Sequence, residues 1–246
     1  MSQEHSFASA TPAGLGALAI AVFGFAAYFL GLVDVNGLPL LAAWLFAGFV
    51  VQFVVGIGEM KNQNITGGNV FLFFSAFFML AAALSVFMKW YMISFMFGPK
   101  AVKDALDAAA ITAGLKVDML SPVQIKAAMA GVGPAVGAMV HKAAHVEGWM
   151  WIAGAGFLTV ATPCYAWGSW VFFSGFVLAD ILLFLIAGLD TGWFSIIDAN
   201  TTKHIIAYGF IFIGLSSLYH AGAIMINTTF GKSILPVPRP LIKPKA

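Results

Sequence analysis

The chain has 246 residues, of which 61% are hydrophobic and only 9% are charged, and its formal net charge is +2. A soluble domain carries roughly 25% charged residues, so this chain has too little charge to cover a water-facing surface, and lipid must cover much of it. The net charge is too small to indicate a nucleic-acid partner. The single cysteine, Cys164, excludes an internal disulfide framework and a cysteine-based metal cluster.

Six apolar segments are long enough to cross a bilayer, whose hydrocarbon core of about 30 Å requires about 20 residues in a helix. They are residues 12–32, 38–57, 68–88, 148–167, 170–189 and 204–226. Backbone groups in hydrocarbon find no water to bind, so each segment must be helical. The sequence therefore predicts an all-α integral membrane protein with six transmembrane helices. The first segment is expected to remain as a helix, because the residues before it lack the basic region of a signal peptide.

Residues 98–147, between the third and fourth segments, differ from the rest of the chain. Val102, Leu106 and Ala109 recur at helical spacing with charged residues off that stripe, which predicts an amphipathic helix at the interface or on a neighbouring subunit. A second helix is expected to begin after Ser121, which has a proline and a glutamine at capping positions. We interpret residues 98–147 as an extramembrane helical insert, too short and too poor in apolar residues to hold its own core.

The distribution of basic residues predicts the orientation. The tail after Ile226 carries Lys232, Arg239 and two further lysines without an acid, which favours a cytoplasmic C-terminus. An even number of spans then places the N-terminus on the same side. The insert, which would lie on the opposite side, is also rich in lysine and favours the reverse orientation.

Four ionisable residues lie within or at the ends of the apolar segments, where such groups are costly and usually line a cavity or pair. His204 begins the sixth segment, where an interfacial histidine at the helix start is the favoured interpretation. Asp180 lies in the middle of the fifth segment, where an acid is functional or tightly paired. His220 lies deep in the sixth segment, as a pore residue or as a hydrogen-bonded packing histidine. Glu59 ends the second segment near Lys61, and an ion pair at the membrane boundary is the alternative to a functional role.

The sequence contains no recognisable metal or cofactor site. His141 and His145 have the i, i+4 spacing that places two imidazoles on one helix face, but no acid or cysteine nearby completes a ligand set. A phosphate-binding glycine loop is also absent, and the apolar segments are poor in pairs of nucleophile and base. These observations predict no metal, no cofactor and no enzymatic activity.

The connection between the second and third segments, residues 56–69, is too rich in glycine and asparagine for an ordinary helix. Interrupted helix at membrane depth is tolerated where it lines a cavity. Asn64 or Thr66 is suited to cap the third helix, whose first N–H groups and dipole favour an anion. A capped turn in water is the alternative, and the spacing alone does not decide between them.

Three stretches of the chain match the motifs of one family in order and spacing. The first segment contains Thr11-Pro12-Ala13-Gly14-Leu15-Gly16-Ala17. The second connection and third segment contain Gly56, Glu59, Lys61, Asn64, Gly67, Phe71 and Phe77. The sixth segment and the tail contain His204, Gly214-Leu215-Ser216-Ser217-Leu218-Tyr219, Asn227 and Phe230-Gly231-Lys232-Ser233-Ile234-Leu235-Pro236. With these motifs the chain resembles the acetate/succinate transporter family, which includes bacterial acetate permeases.

The resemblance implies a six-helix protomer with a pore through each subunit, assembled as a homohexamer in the plasma or inner membrane. It also implies a constriction of three bulky apolar side chains, which fall by register on Ile20, Phe74 and Leu178. Ile20 departs from the aromatic residue usual in the family. The polar residues expected along the substrate pathway are Thr11, Asn64, Tyr219 and Asn227.

These observations predict a membrane channel or proton-coupled transporter for acetate and similar small carboxylates, with succinate among them. A charged acetate loses its hydration in an apolar tube, and polar donors along the pathway would offset part of that cost. If transport is coupled to protons, Asp180, His220 or Glu59 is expected to carry the proton. The alternatives are a non-conducting structural or partner-binding membrane protein and a family member that exports ammonium.

Overall fold

The computed structural model describes residues 8–193, 197–240 and 242, most of which are helical. The seven helices of this part of the chain are α1 (Thr11–Phe29), α2 (Leu38–Lys61), α3 (Ile65–Ala113), α4 (Pro122–Met129), α5 (Val132–Ala161), α6 (Trp170–Thr191) and α7 (Ala199–Phe230). Short 3-10 turns occur at Val35–Gly37, Val117–Met119 and Thr162–Trp167. Two π-helical turns, Ser75–Ala81 and Met92–Phe97, interrupt the α-helical bonding pattern inside α3.

Six helical stretches are long and apolar enough to cross a membrane, and each of the six predicted segments overlaps one of them. The first helix ends earlier than predicted because Gly31 adopts a left-handed conformation with φ of 72°. The N–H of Leu32 then donates to the Ala27 carbonyl oxygen at 2.9 Å, which closes the helix end. The short connection around Gly168 joins α5 to α6, which pack against each other as a helical hairpin.

The predicted insert, residues 98–147, consists of the end of α3, all of α4 and the first half of α5. The helices pass through both predicted boundaries, and the breaks lie between them, after Ala113 and before Val132. At about 1.5 Å per residue, the 49 residues of α3 extend about 74 Å, more than twice the hydrocarbon thickness. This length favours an insert outside the hydrocarbon, and its placement there stays a prediction.

Side-chain caps define the starts of α4 and α7. The Ser121 hydroxyl accepts from the Gln124 N–H at 3.4 Å, and the Gln124 side-chain oxygen accepts from the Ser121 N–H at 2.9 Å. This capping box confirms the helix start predicted from the sequence. At α7, the Asp198 carboxylate accepts from the Thr201 N–H at 2.9 Å. Hydrogen bonds from Thr201 hold the pKa of the Asp198 carboxyl below its usual value.

The long helices form one bundle around a shared core. α1 packs against α2 and α7, α5 against α6, and α6 against α7. The centre of the core contains Phe78, Leu182, Ile206 and Phe210, none of them more than 2% exposed. Small residues allow close approach between helices in lipid, and Gly148 of α5 is an example. A Cβ atom on Gly148 would lie 2.9 Å from the backbone nitrogen of Thr191 in α6.

The segment after α7 folds back along that helix and is held by two of the residues predicted for the substrate pathway. The Tyr219 hydroxyl donates to the Pro236 carbonyl oxygen at 2.6 Å. The Asn227 side chain donates to the Leu235 carbonyl oxygen at 2.8 Å and accepts from the N–H groups of Ile234 and Leu235 at 2.7 and 2.9 Å. The polar atoms of both side chains are therefore engaged in fastening the tail to the bundle.

Replacing Gly148 with alanine is expected to lower the melting temperature of the purified protein in detergent. The added methyl group meets the α6 backbone, and such overpacking costs about 1–3 kcal/mol. Gly156→Ala on the same helix is the matched control, because no atom lies within 4 Å of its Cβ position. Equal melting temperatures for the two variants would contradict the close contact between α5 and α6.

Asn227→Ala is expected to release the tail without unfolding the bundle. The substitution removes the acceptor for the Ile234 and Leu235 N–H groups, so their hydrogen exchange should become faster. Asn69→Ala is the control. The Asn69 side chain donates to the Ile65 carbonyl oxygen of α3 and to the Met60 sulfur of α2, and neither residue belongs to the tail. Unchanged exchange at residues 234 and 235 in Asn227→Ala would show that these bonds do not hold the tail.

Candidate functional site

Two cavities lie end to end inside the bundle. The first has a volume of about 190 Å³ and the second about 1020 Å³. α1 lines the first cavity with residues between 11 and 22 and the second with residues between 25 and 31. α7 runs the opposite way, lining the first with residues 210–217 and the second with residues 199–204. Because successive turns of the same helices line one cavity and then the other, the two together follow the long axis of the bundle.

An aromatic layer separates the two cavities. It consists of Phe25, Phe74, Phe77, Phe78, Trp151 and Phe210. Phe78 is at its centre, with its ring centroid 5.2 Å from that of Phe25 and 6.1 Å from that of Trp151. Phe78 lines the first cavity, whereas Phe25 and Trp151 line the second. The layer therefore lies where the first cavity ends and the second begins.

A π-helical turn of α3, Ser75–Ala81, carries two rings of the aromatic layer. π turns in α-helices occur frequently at functional sites. Phe77 packs directly on the backbone of α5, where a Cβ atom on Gly154 would lie 2.1 Å from the ring. The absence of a side chain at Gly154 thus makes room for Phe77, and the turn places the adjacent Phe78 against the core.

Three of the predicted site residues, Thr11, Glu59 and Asn64, meet at the outer end of the first cavity, which is the end away from the aromatic layer. The Thr11 hydroxyl donates to Glu59 Oε1 at 2.6 Å, and the Asn64 side-chain amide donates to Glu59 Oε2 at 2.8 Å. Glu59 is only 3% exposed. The Asn64 side-chain oxygen accepts from the Gly67 N–H at 3.0 Å, so Asn64 is the cap of α3. The cluster ties together the start of α1, the end of α2 and the start of α3.

Gln52 of α2 is the most informative residue of the first cavity, and the sequence analysis missed it. Its side chain is 1% exposed and lines the cavity. The amide nitrogen faces the Gly14 carbonyl oxygen at 3.5 Å, which leaves the side-chain oxygen without a partner among the described residues. An isolated amide inside an apolar span is itself a signal, because buried polar groups in hydrocarbon are costly and tend to be functional.

The three residues predicted to form the constriction do not meet in one ring. Phe74 lines the first cavity and belongs to the aromatic layer. Ile20 is 45% exposed, because the inner face of α1 carries Leu18 and Val22, and a residue two positions from Leu18 points to the opposite side of a helix. Leu178 packs at the edge of the core and lines neither cavity.

The other two candidates for proton coupling lie behind the wall of the first cavity. Asp180 has a buried carboxylate oxygen without a partner among the described residues, and Thr159 of α5 and Thr162 of the following 3-10 turn approach the carboxylate. His220 is 5% exposed, and its Nδ1 lies 2.8 Å from the Ser216 carbonyl oxygen. The role of either residue in proton coupling stays a prediction.

The second cavity has mostly apolar walls, but it contains an ion pair that no local pattern indicated. Lys89 Nζ of α3 lies 2.6 Å from Glu147 Oε2 of α5, and the Ser85 hydroxyl donates to the other Glu147 oxygen. The pair is partly buried, with side-chain exposures of 16% and 25%. Further polar residues that line this cavity are His141, Asp190, Asn200, Lys203 and His204. This end of the bundle therefore forms a wide vestibule with several ionisable side chains in its walls.

Comparisons with known proteins bear on the fold. No protein-family model matches the chain, and no curated protein matches it by sequence. Among solved structures, the chain is similar to one described as the bacterial acetate channel SatP, with a TM-score of 0.65 and 17% sequence identity over 94% of this chain and 99% of that chain. At this identity the likeness establishes the fold. Together with the six long apolar helices, it confirms the prediction of an all-α, multi-pass membrane protein.

Proposed function

We propose that the chain passes acetate and similar small carboxylates across a membrane through the two end-to-end cavities. The observation that carries this proposal is the placement of a wide vestibule with ionisable side chains, an aromatic layer and a small, mostly apolar cavity along one bundle axis. The fold likeness to a structure described as an acetate channel supports it, as does the resemblance of the sequence motifs to the acetate/succinate transporter family. No catalytic activity is part of the proposal.

The aromatic layer would supply the selectivity. Hydrated ions such as chloride or sodium cannot shed water onto phenyl rings without a large cost, because the rings return few of the lost interactions. A small carboxylate carries an apolar methyl group that packs favourably on the same rings. In the first cavity, Gln52 and the hydroxyls of Ser216 and Ser217 are the polar groups that would orient its carboxyl end.

The vestibule would collect the substrate from water. Lys89, Lys203 and His204 line it together with the carboxylates of Glu147 and Asp190, so its walls hold charges of both signs. The salt bridge to Glu147 fixes Lys89 in the wall of this space. A carboxylate would exchange its hydration shell for these groups in stages before it reaches the rings.

The proposal also covers the arrangement in the membrane. The chain would assemble as a homohexamer in the plasma or inner membrane, with both termini in the cytoplasm, and transport would be either channel-like or coupled to protons. The exposed apolar face of α2, with Trp44, Phe46 and Phe53, offers a surface to lipid or to a neighbouring subunit. Native mass spectrometry from nanodiscs tests the hexamer.

Uptake of labelled acetate into proteoliposomes tests the main proposal. We expect uptake above that of protein-free liposomes, with competition by formate, lactate and succinate graded by size. Competition by ammonium alone would favour the ammonium-export alternative. Absence of uptake under every imposed pH gradient would contradict transport of acetate and favour a non-conducting, partner-binding protein.

Gln52→Leu is expected to lower acetate uptake about tenfold while leaving the melting temperature unchanged or raised. Leucine removes a polar contact to the substrate, worth about 1–3 kcal/mol, and also removes an unsatisfied buried oxygen from the empty protein. Val51→Leu, one position away on the exposed face of α2, is the matched control for uptake and stability. Equal uptake in the two variants would exclude Gln52 from the pathway.

Phe78→Leu is expected to increase flux and to weaken discrimination against larger carboxylates, because a smaller side chain opens the centre of the aromatic layer. Leucine is used because alanine at this buried site would cost about 3–5 kcal/mol of stability. Phe46→Leu, at a 52% exposed position of α2, is the control. The comparison measures initial uptake rates of acetate and lactate, and a ratio that does not change in Phe78→Leu would argue against a selectivity role.

A further inference from the structure

The first cavity has no group that neutralises a bound anion. Among the described residues that line it, none is a lysine, an arginine or a histidine. An ionised carboxylate buried without a paired charge is strongly disfavoured, and a carboxyl group in that setting takes up a proton instead. The lining therefore disfavours the acetate anion and tolerates the undissociated acid.

The hydrogen-bond donors at the outer end of this cavity are already engaged by Glu59. The Thr11 hydroxyl and the Asn64 amide both donate to the Glu59 carboxylate. The Gly67 N–H, which would otherwise be a free donor at the start of α3, donates to Asn64. An anion arriving here would meet a buried carboxylate and donors that point to it, so the helix start does not act as an anion site.

The side-chain oxygen of Gln52 differs from these groups, because it is an acceptor that no donor among the described residues reaches. Gln52 lines the cavity, and its amide nitrogen lies 3.5 Å from the Gly14 carbonyl oxygen. The Gln52 side-chain oxygen is buried and has no partner in the described part of the chain. A carboxylate anion has only acceptor oxygens and cannot satisfy it, whereas the O–H of a carboxylic acid donates to it.

We propose that the first cavity binds the undissociated carboxylic acid, with its O–H donating to the side-chain oxygen of Gln52. The hydroxyls of Ser216 and Ser217, on the α7 wall, donate to its carbonyl oxygen, and its methyl group packs on the aromatic layer. The substrate then carries its own proton through the narrow part of the path, so a proton and a carboxylate cross together without a titrating residue in the cavity wall. This inference rests on the proposed function.

Titratable groups near the cavity are few. Tyr165 lines it, and Glu59 lies behind Thr11 and Asn64 at its end. Asp180 and His220 lie behind the α6 and α7 walls. The lining residues of α1 and α3 carry no titratable group. The pH dependence of binding should therefore follow the substrate, with apparent affinity for acetate rising about tenfold for each pH unit lowered through neutral values.

Two probe molecules distinguish binding of the undissociated acid from binding of the carboxylate anion. Acetamide has nearly the shape of acetic acid, is uncharged and carries N–H donors, whereas methanesulfonate is of similar size and stays anionic at every accessible pH. The measurement is the rise in melting temperature of the purified, detergent-solubilised full chain at increasing probe concentration, which reports binding without requiring transport. We expect acetamide to raise the melting temperature, methanesulfonate not to, and acetate to do so more strongly as the pH is lowered.

Variants test whether the rise in melting temperature comes from binding in the first cavity. Gln52→Leu should lose the response to acetamide, and Val51→Leu should keep it. Glu59→Gln should keep the pH dependence of acetate binding, which excludes titration of Glu59 as its source. Stabilisation by methanesulfonate, absence of a response to acetamide, or acetate binding that does not depend on pH would each overturn the inference. If instead both probes behave as expected and proteoliposomes take up no acetate, the proposed transport function fails and the acid-binding cavity stands.

Discussion

The hydrogen bonds to the buried Glu59 carboxylate hold the first three helices of the bundle together, and the pathway depends on that junction. Thr11 and Asn64 donate to separate oxygens of one carboxylate, so the start of α1 and the start of α3 are placed relative to the end of α2. Charge-assisted bonds of this kind are stronger than neutral ones, and their strength grows in surroundings of low dielectric constant. The same cluster occupies the polar groups that would otherwise attract an anion to the outer end of the first cavity.

Buried polar groups are paired differently at the two ends of the proposed pathway. At one end of the first cavity the donors Thr11, Asn64 and Gly67 are committed to other groups, whereas the buried side-chain oxygen of Gln52 has no partner among the described residues. At the other end, Lys89 and Glu147 form a salt bridge in a space wide enough for water. Between these ends, the aromatic layer removes the opportunity for hydrogen bonds. Under the proposed function, a solute that crosses has to tolerate apolar surroundings, which favours a small, partly apolar substrate.

Sequence patterns correctly predicted those features that depend on residues close together in the chain. The Ser121 capping box and the Asn64 cap depend on residues within three positions of one another. The capping box occurs as predicted, and of the two residues considered for the cap of α3, Asn64 or Thr66, the structure has Asn64. Register along α1 is equally local, yet the choice of Ile20 for the constriction came from a resemblance and not from the helix itself. The inner face of α1 follows from its contacts with α2 and α7, which place Leu18 and Val22 inside and Ile20 outside. Tyr219 and Asn227 illustrate the same point, because their partners belong to a tail whose path no span pattern describes.

The sequence by itself determined that six helices cross a bilayer, because hydrocarbon excludes unpaired backbone groups and the apolar segments are long enough to span it. It also placed Glu59, Asn64 and Thr11 among the important residues. Only the tertiary structure decided that these three meet, that Lys89 pairs with Glu147 58 positions away, and that Gln52 faces a cavity without a hydrogen-bond partner. The reason is that helix periodicity fixes which residues share a face, whereas the packing of helices distant in sequence decides what that face meets.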